Sequence, residues 1–322
     1  MHALVTGGAG FIGSHLCESL LERKIEVYAV DNLSTGSMKN IAHLKKLKSF
    51  HFYKGSVTDE KLVKQLVKKV DIIFHLAAAV GVKYIIDNPL ESIKTNIHGT
   101  ETVLRLANSF GKKKVFIAST SEIYGKDRGG KSTFTETDDR LLGSTTKWRW
   151  SYSCTKALDE FLALAYCREK NLPVVIGRFF NTCGPRQSAR YGMVVPRFIK
   201  QALSNKPITV FGDGKQTRCF LYVKDAVSAV LGLVDGNKAT GEIFNIGNPG
   251  SISILELAEK VKKLTASRSK IKFVPYEEVY KIGFEDMRHR RPDISKIRSV
   301  IDFSPKVGID ELLKRTIESF TK

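Results

Sequence analysis

Short apolar runs alternate with amphipathic stretches along most of this chain. Residues 2–5, 25–30, 50–53, 71–78, 115–118, 174–178 and 242–246 read as strands. Several are apolar without interruption, as strands covered on both faces of a parallel sheet are. Between them the apolar period lengthens to that of a helix. Leu16, Leu20 and Leu21 share one side of a helix over 14–23, and Leu62, Leu66 and Val67 mark the next. A lysine-rich helix is expected up to about residue 48, a long helix from Asn88-Pro89 through Leu106, and another over 151–170. Beyond residue 180 the alternation loosens, with helices expected at 196–204, 225–235, 254–264 and 310–320 and strands at 208–211 and 218–223. The pattern predicts an α/β chain built on a doubly wound parallel sheet.

The first turn of that pattern carries chemistry. Thr6-Gly7-Gly8-Ala9-Gly10-Phe11-Ile12-Gly13 joins the first strand to the first helix, and the second strand ends at Asp31. Strand, glycine turn, helix, strand and acid form a dinucleotide-binding unit of Rossmann type. Gly7 permits a tight turn, Gly10 lets backbone N–H groups approach a pyrophosphate, and Gly13 lets the helix lie close to the strand. Asp31 is placed to accept hydrogen bonds from an adenosine ribose, which favours NAD over NADP. The expected division is a Rossmann domain over 1–180, rejoined by about 221–248, and a smaller C-terminal α/β substrate domain over 181–220 and 249–322.

Composition narrows the setting. No run is apolar and long enough to span a membrane, and the first strand leaves no room for a signal peptide. The five cysteines, Cys17, Cys154, Cys167, Cys183 and Cys219, are scattered without a C-x-x-C pair. They read as reduced thiols of a cytoplasmic protein, and no metal site is expected. The net charge of +19 falls in short lysine runs without interleaved aromatics. It therefore reads as a solvated surface with a site for an anionic ligand, and nucleic acid is not an expected partner.

A second motif lies at the start of the 151–170 helix, where Tyr152-Ser153-Cys154-Thr155-Lys156 spells Y-x-x-x-K. That spacing puts phenol and ammonium on one helix face. An ammonium and an oxidised nicotinamide would both lower the phenol pKa, making Tyr152 a general base. Thr120 closes the preceding strand, where doubly wound sheets bind ligands, and is placed to bond the same substrate oxygen. Ser121 and Glu122 follow it. His75, inside an apolar strand, reads as a core residue.

Together these residues resemble the extended short-chain dehydrogenases/reductases, of the NAD-dependent sugar-nucleotide epimerase, dehydratase and decarboxylase kind. The resemblance rests on Thr6 to Gly13, Asp31-Asn32, His75-Leu76-Ala77-Ala78, Asn96 with Gly99-Thr100, Thr120, Tyr152, Lys156, Asn181 and Gly184-Pro185-Arg186. Ser56 departs from it, because many members carry an aspartate there against adenine. Thr120-Ser121-Glu122 is similar to UDP-glucuronate decarboxylases and to GDP-mannose 4,6-dehydratases. The stretches 147–153, 215–220, 241–249 and 290–294 are similar to the decarboxylases.

The resemblance implies NAD held by Gly7, Gly10, Phe11, Ile12, Gly13, Asp31, Asn32, Leu76, Ala77, Ala78, Tyr152 and Lys156. It implies catalysis by Thr120, Glu122, Tyr152 and Lys156 through a 4-keto intermediate. Lys83, Ser121, Asn181, Arg186, Arg218 and Arg290 are the candidates for holding a UDP-sugar, the arginines as partners for its phosphate and carboxylate charges. UDP-glucuronate decarboxylation is the expected reaction, with 4-epimerisation and 4,6-dehydration as alternatives and a catalytically silent NAD-binding protein as a remote one. Glu122 is expected either to repel a substrate carboxylate or to be protonated by burial and act as an acid. A homodimer is expected from the apolar surplus of Leu158, Phe161, Leu162, Leu164 and Ala165, on a helix that in relatives forms a four-helix interface.

Overall fold

The computed structural model describes residues 1–126, 133–189, 193–279 and 287–321. Its centre is a seven-stranded sheet of β1 (His2–Thr6), β2 (Glu26–Asp31), β3 (Phe50–Lys54), β4 (Ile72–His75), β5 (Lys114–Thr120), β6 (Val174–Phe179) and β7 (Glu242–Ile246). The order is β7-β6-β5-β4-β1-β2-β3, parallel throughout. The chain moves outward from β1 to β3, then returns to the other side of β1 with β4. The order therefore reverses between β1 and β4, and a crevice opens there at the carboxyl ends of the strands.

Helices cover both faces. α1 (Phe11–Glu22) sets Leu16 and Leu20 against Val27 and Ala29 in one apolar cluster, which α4 (Val223–Val234) completes with Val227 and Val230. On the other face, α2 (Pro89–Ser109) and α3 (Arg149–Lys170) lay Val103, Leu106 and Ala163 over Ile73, Val115 and Ile176. A separate cluster in the second lobe gathers Phe198, Ile199, Leu257, Val261, Leu312 and Leu313.

Two expectations need correction. The lysine-rich stretch before residue 48 forms two 3-10 turns, Met38–Asn40 and Leu44–Lys46. Only Ile41 and Leu44 of that stretch are buried, too few for a helix-long stripe, and Ser37 caps the first turn through the Lys39 N–H. The strand expected over 218–223 is split into Thr217–Cys219 and Leu221–Tyr222, which pair with different partners, Ser251–Ser253 and Thr182–Cys183. Ile294, Ile297 and Phe303 join the α1–α4 cluster on the main sheet. Periodicity reports which residues are apolar but not which core receives them. All five cysteines are free thiols. Among the described residues no helix is long and apolar enough to cross a membrane.

Candidate active site

The crevice at the β1/β4 reversal is a cleft of about 480 Å³ that runs from Asp31 past the glycine turn and Thr120 into the second lobe. Its floor is the glycine turn. Gly7 has φ +71°, and a Cβ there would lie 3.0 Å from the Ala77 nitrogen. A Cβ on Gly13 would stand 2.1 Å from the Gly7 carbonyl oxygen, so no side chain fits where α1 crosses the turn. α1 begins at Phe11 with Gly10 as N-cap, no capping side chain and no acid in its first turn. Its first N–H groups therefore remain for an anion, with the helix dipole behind them.

Asp31 closes β2 at the far wall of the cleft. Its Oδ2 accepts from the Ala9 N–H at 3.1 Å and its Oδ1 from the Leu33 N–H at 2.7 Å. Burial raises its pKa while these N–H groups oppose the rise. A carboxylate has acceptor sites beyond those two, so it can still take ribose hydroxyls. Asn32, Phe11, Ile12, Leu76, Ala77 and Ala78 line the same half of the cleft. His75 lies beneath them, 1% exposed, between the hydroxyls of Thr6 at 2.9 Å and Thr100 at 3.2 Å. Burial, with Lys156 nearby, drops its pKa to about 3. It is a neutral core residue, as its apolar strand suggested.

The reacting end of the cleft is built at the end of β5. There the chain leaves the sheet into a single 3-10 turn, Ser121–Tyr124, and the Thr120 hydroxyl caps it by accepting from the Glu122 N–H at 3.2 Å. The cap fixes Thr120 facing α3, where its hydroxyl meets the Tyr152 phenol. Burial pushes that phenol well above the ordinary tyrosine range, Glu122 and Asp159 push it further, and Thr120 opposes them. This reverses the expected depression by Lys156. The Lys156 ammonium is buried and donates to Asp159 Oδ2 at 2.7 Å, so its charge is already balanced.

Of the two forms expected of Glu122, the fold favours the ionised one. Burial pushes its carboxyl up, but Arg290 and Arg149 outweigh burial and hold it down at about 2. Arg149 Nη2 donates to Oε2 at 3.1 Å, and Arg290 Nη1 donates to Oε1. Glu122 is thus an ionised carboxylate clamped by two arginines, and a neutral acid is not the species the fold stabilises. Arg290 reaches on to Asn181 Oδ1 at 3.0 Å, and Asn181 Nδ2 donates to the Cys219 carbonyl at 3.1 Å. Arg218 is buried on the same wall, with Nη1 donating to the Thr217 carbonyl at 2.7 Å.

The fold therefore brings Ser121, Asn181, Arg218 and Arg290 together with Thr120, Glu122 and Tyr152. Arg186 is not brought there. Its backbone is left-handed, φ +71°, and its guanidinium turns back onto α1 to bond Ser14 Oγ at 3.2 Å and Glu18 Oε1 at 2.5 Å. The side chain of Lys83 lies outside the described residues. Arg149 was not singled out from the sequence, although it lies one helical turn ahead of Tyr152 on α3. Its partner Glu122 is distant in the chain, and no local pattern pairs them.

Comparison with known proteins decides the family. Residues 4–316 match the family model described as GDP-mannose 4,6 dehydratase. The chain belongs to that family. It is an enzyme, and its sheet order and paired motifs agree with the extended short-chain dehydrogenase/reductase fold expected from the sequence. A UDP-N-acetyl-alpha-D-glucosaminuronate decarboxylase of Bacillus cytotoxicus is 46% identical over 98% of this chain and 97% of its own. UDP-glucuronic acid decarboxylase 1 of Arabidopsis thaliana is 38% identical over 99% of this chain and 70% of its own. Among solved structures, the UDP-glucuronic acid 4-epimerase of Bacillus cereus in complex with UDP-glucuronic acid and NAD superposes with a TM-score of 0.89. It is 30% identical and covers 100% of this chain and 99% of its own.

Proposed function

We propose that this enzyme decarboxylates a UDP-linked uronate, using NAD retained in the cleft, and that its uronate carries a 2-acetamido group. The observation that carries this reading is the charge of the reacting end. Arg149, Arg290 and Arg218 gather around Glu122 there, guanidinium groups of the kind that recognise a substrate carboxylate, which a neutral hexose does not carry. The 46% and 38% identities to two uronate decarboxylases support it, the higher being to the enzyme named for the 2-acetamido sugar. The 2-hydroxy uronate, UDP-glucuronate, is the alternative substrate of the same reaction.

The cleft fits NAD. The glycine cradle excludes any Cβ at Gly13, the N-terminus of α1 would hold the pyrophosphate, and Asp31 would hold the adenosine ribose. NAD bound there supplies a hydride acceptor for the sugar C4. Tyr152 takes the proton from the 4-hydroxyl, and Lys156 holds the phenol's surroundings polar. The resulting ketone makes the uronate a β-keto acid. Its C5–C6 bond breaks with loss of CO2, the electron pair passes into the C4 carbonyl, and the hydroxyls of Tyr152 and Thr120 stabilise the oxygen where charge develops. Arg149 and Arg290 orient the departing carboxylate, while the ionised Glu122 beside them keeps the carboxylate from being bound too firmly to leave.

A 4-epimerase would share the first step, and the likeness to a 4-epimerase bound to UDP-glucuronic acid favours it as the second reading. We read the enzyme as a cytoplasmic homodimer joined through α2 and α3, where Leu158 is 47% and Phe161 66% exposed and Leu90 lies bare at the start of α2. Mass spectrometry after incubation with NAD and either UDP-uronate tests the reaction. Loss of CO2 is expected, faster from the 2-acetamido substrate. An unchanged mass with a new C4 configuration would replace decarboxylation by epimerisation.

A further inference from the structure

Lys156 and Asp159 form a buried ion pair on α3, the helix that carries Tyr152. The ammonium and the Asp159 carboxylate are 2% and 1% exposed, one helical turn apart on α3, with Nζ to Oδ2 at 2.7 Å. The groups that face this pair come from each element around it. From β4, His75 is neutral. Its two ring nitrogens bond the hydroxyls of Thr6 and Thr100. Burial raises the Asp159 pKa, opposed first by Lys156 and then by the Thr100 hydroxyl from α2. From α3, Glu160 is committed to Arg178, at 2.7 Å, and to the Ser119 hydroxyl, at 2.5 Å. From the turn after β5, Glu122 is committed to Arg149 and Arg290, and Thr120 bonds the phenol itself.

We propose that Asp159 is a positioning residue for the base: it fixes the Lys156 ammonium and cancels its charge, so that Tyr152 keeps its proton until a second positive charge enters the cleft. That charge is the oxidised nicotinamide ring, so proton removal from the sugar becomes conditional on cofactor in the oxidised form. A Y-x-x-x-K lysine without a carboxylate partner would favour the phenolate at all times. Here the pair is neutral as a unit, and burial together with Glu122 and Asp159 keeps the phenol protonated in the chain alone. The proposal rests on Tyr152 as the general base.

The test is a titration of tyrosinate absorbance in the full-length protein, with and without saturating NAD+, after subtracting the Tyr152→Phe background. In the wild-type protein the Tyr152 transition should lie at lower pH with NAD+ than without it. In Asp159→Asn without NAD+ it should fall by about one pH unit or more, a tenfold change in the ionisation constant. Addition of NAD+ should then shift it less than in the wild type. Asp159→Glu should restore the wild-type titration. Thr100→Val keeps the carboxylate and removes a nearby hydroxyl that favours its ionised form, so it should move the transition the same way by less, and it serves if Asp159→Asn does not fold. Either substitution titrating with or above the wild type overturns the proposal. The readout is phenol ionisation, which does not depend on the sugar. Failure of the base assignment shows separately, as normal turnover by Tyr152→Phe.

Discussion

Arg149 Nη2 and Glu122 Oε2 meet at 3.1 Å, joining the helix that carries Tyr152 to the turn that Thr120 caps. The bond spans the two elements whose separation sets the distance from base to hydroxyl. Arg149 is 6% exposed, so its charge acts in a poorly screened setting. Arg149→Met removes one positive charge and leaves Glu122 with Arg290. Affinity for a UDP-uronate should fall by about tenfold or more, as expected for losing a charge-assisted hydrogen bond. Affinity for UDP itself should change little. Isothermal titration with both ligands checks this, and equal losses for the two would show that Arg149 does not address the uronate.

Tyr152→Phe keeps the ring and removes the proton acceptor. Turnover should drop about 10²–10⁴-fold, the usual worth of a positioned general base. NAD affinity should stay near wild type, because the glycine turn and Asp31 hold the cofactor. Retention of more than about a tenth of wild-type activity would contradict the assignment.

Much of this was legible in the chain. Thr6 to Gly13, Asp31 and the Y-x-x-x-K spacing are local patterns with one structural meaning, and the strand periodicity placed all seven central strands. What escaped depends on residues far apart in sequence. The charge of Glu122 follows from Arg290, 168 residues away, and the destination of Arg186 from Glu18 on α1. The Lys156–Asp159 pair is local, yet its burial, which gives it its consequence, is a property of the packed helix. Short pairings such as Thr182–Cys183 with Leu221–Tyr222 carry no periodic signal at all.

Acid stability should report the Glu122 clamp. Its folded-state pKa is lowered to about 2 from a model-peptide value of 4.5, so the ionised form stabilises the fold. That contribution is fully present above about pH 4.5 and is lost as pH falls toward 2. Glu122→Gln carries no such dependence. Its melting temperature should therefore decline less steeply than that of the wild type across this window, and parallel profiles would show that the carboxylate is not held low.

Phe161→Glu tests the assembly. It puts a charge at the centre of the exposed apolar face of α3, beside Leu158. Light scattering should give the wild type twice the chain mass of 36.0 kDa and the variant the chain mass. A wild-type protein of chain mass at micromolar concentration would reject the dimer.

Glu122→Gln also separates the two readings of the reaction. In a decarboxylase Glu122 acts after the hydride has left C4, because only then is the uronate a β-keto acid. The variant should still bind substrate and reduce NAD+, seen as NADH absorbance. Its neutral amide no longer offsets the arginines, so the substrate carboxylate is held more firmly by Arg149 and Arg290. Loss of CO2 should then slow by about an order of magnitude or more, with NADH accumulating ahead of product. In a 4-epimerase no C–C bond breaks and Glu122 has no part in the chemical steps. The variant should then interconvert C4 epimers at close to the wild-type rate without accumulating NADH. Stopped-flow absorbance together with trapped CO2 distinguishes these outcomes. Unimpaired CO2 release by the variant would make Glu122 a structural anchor for Arg149 and Arg290, with the arginines alone shaping the site.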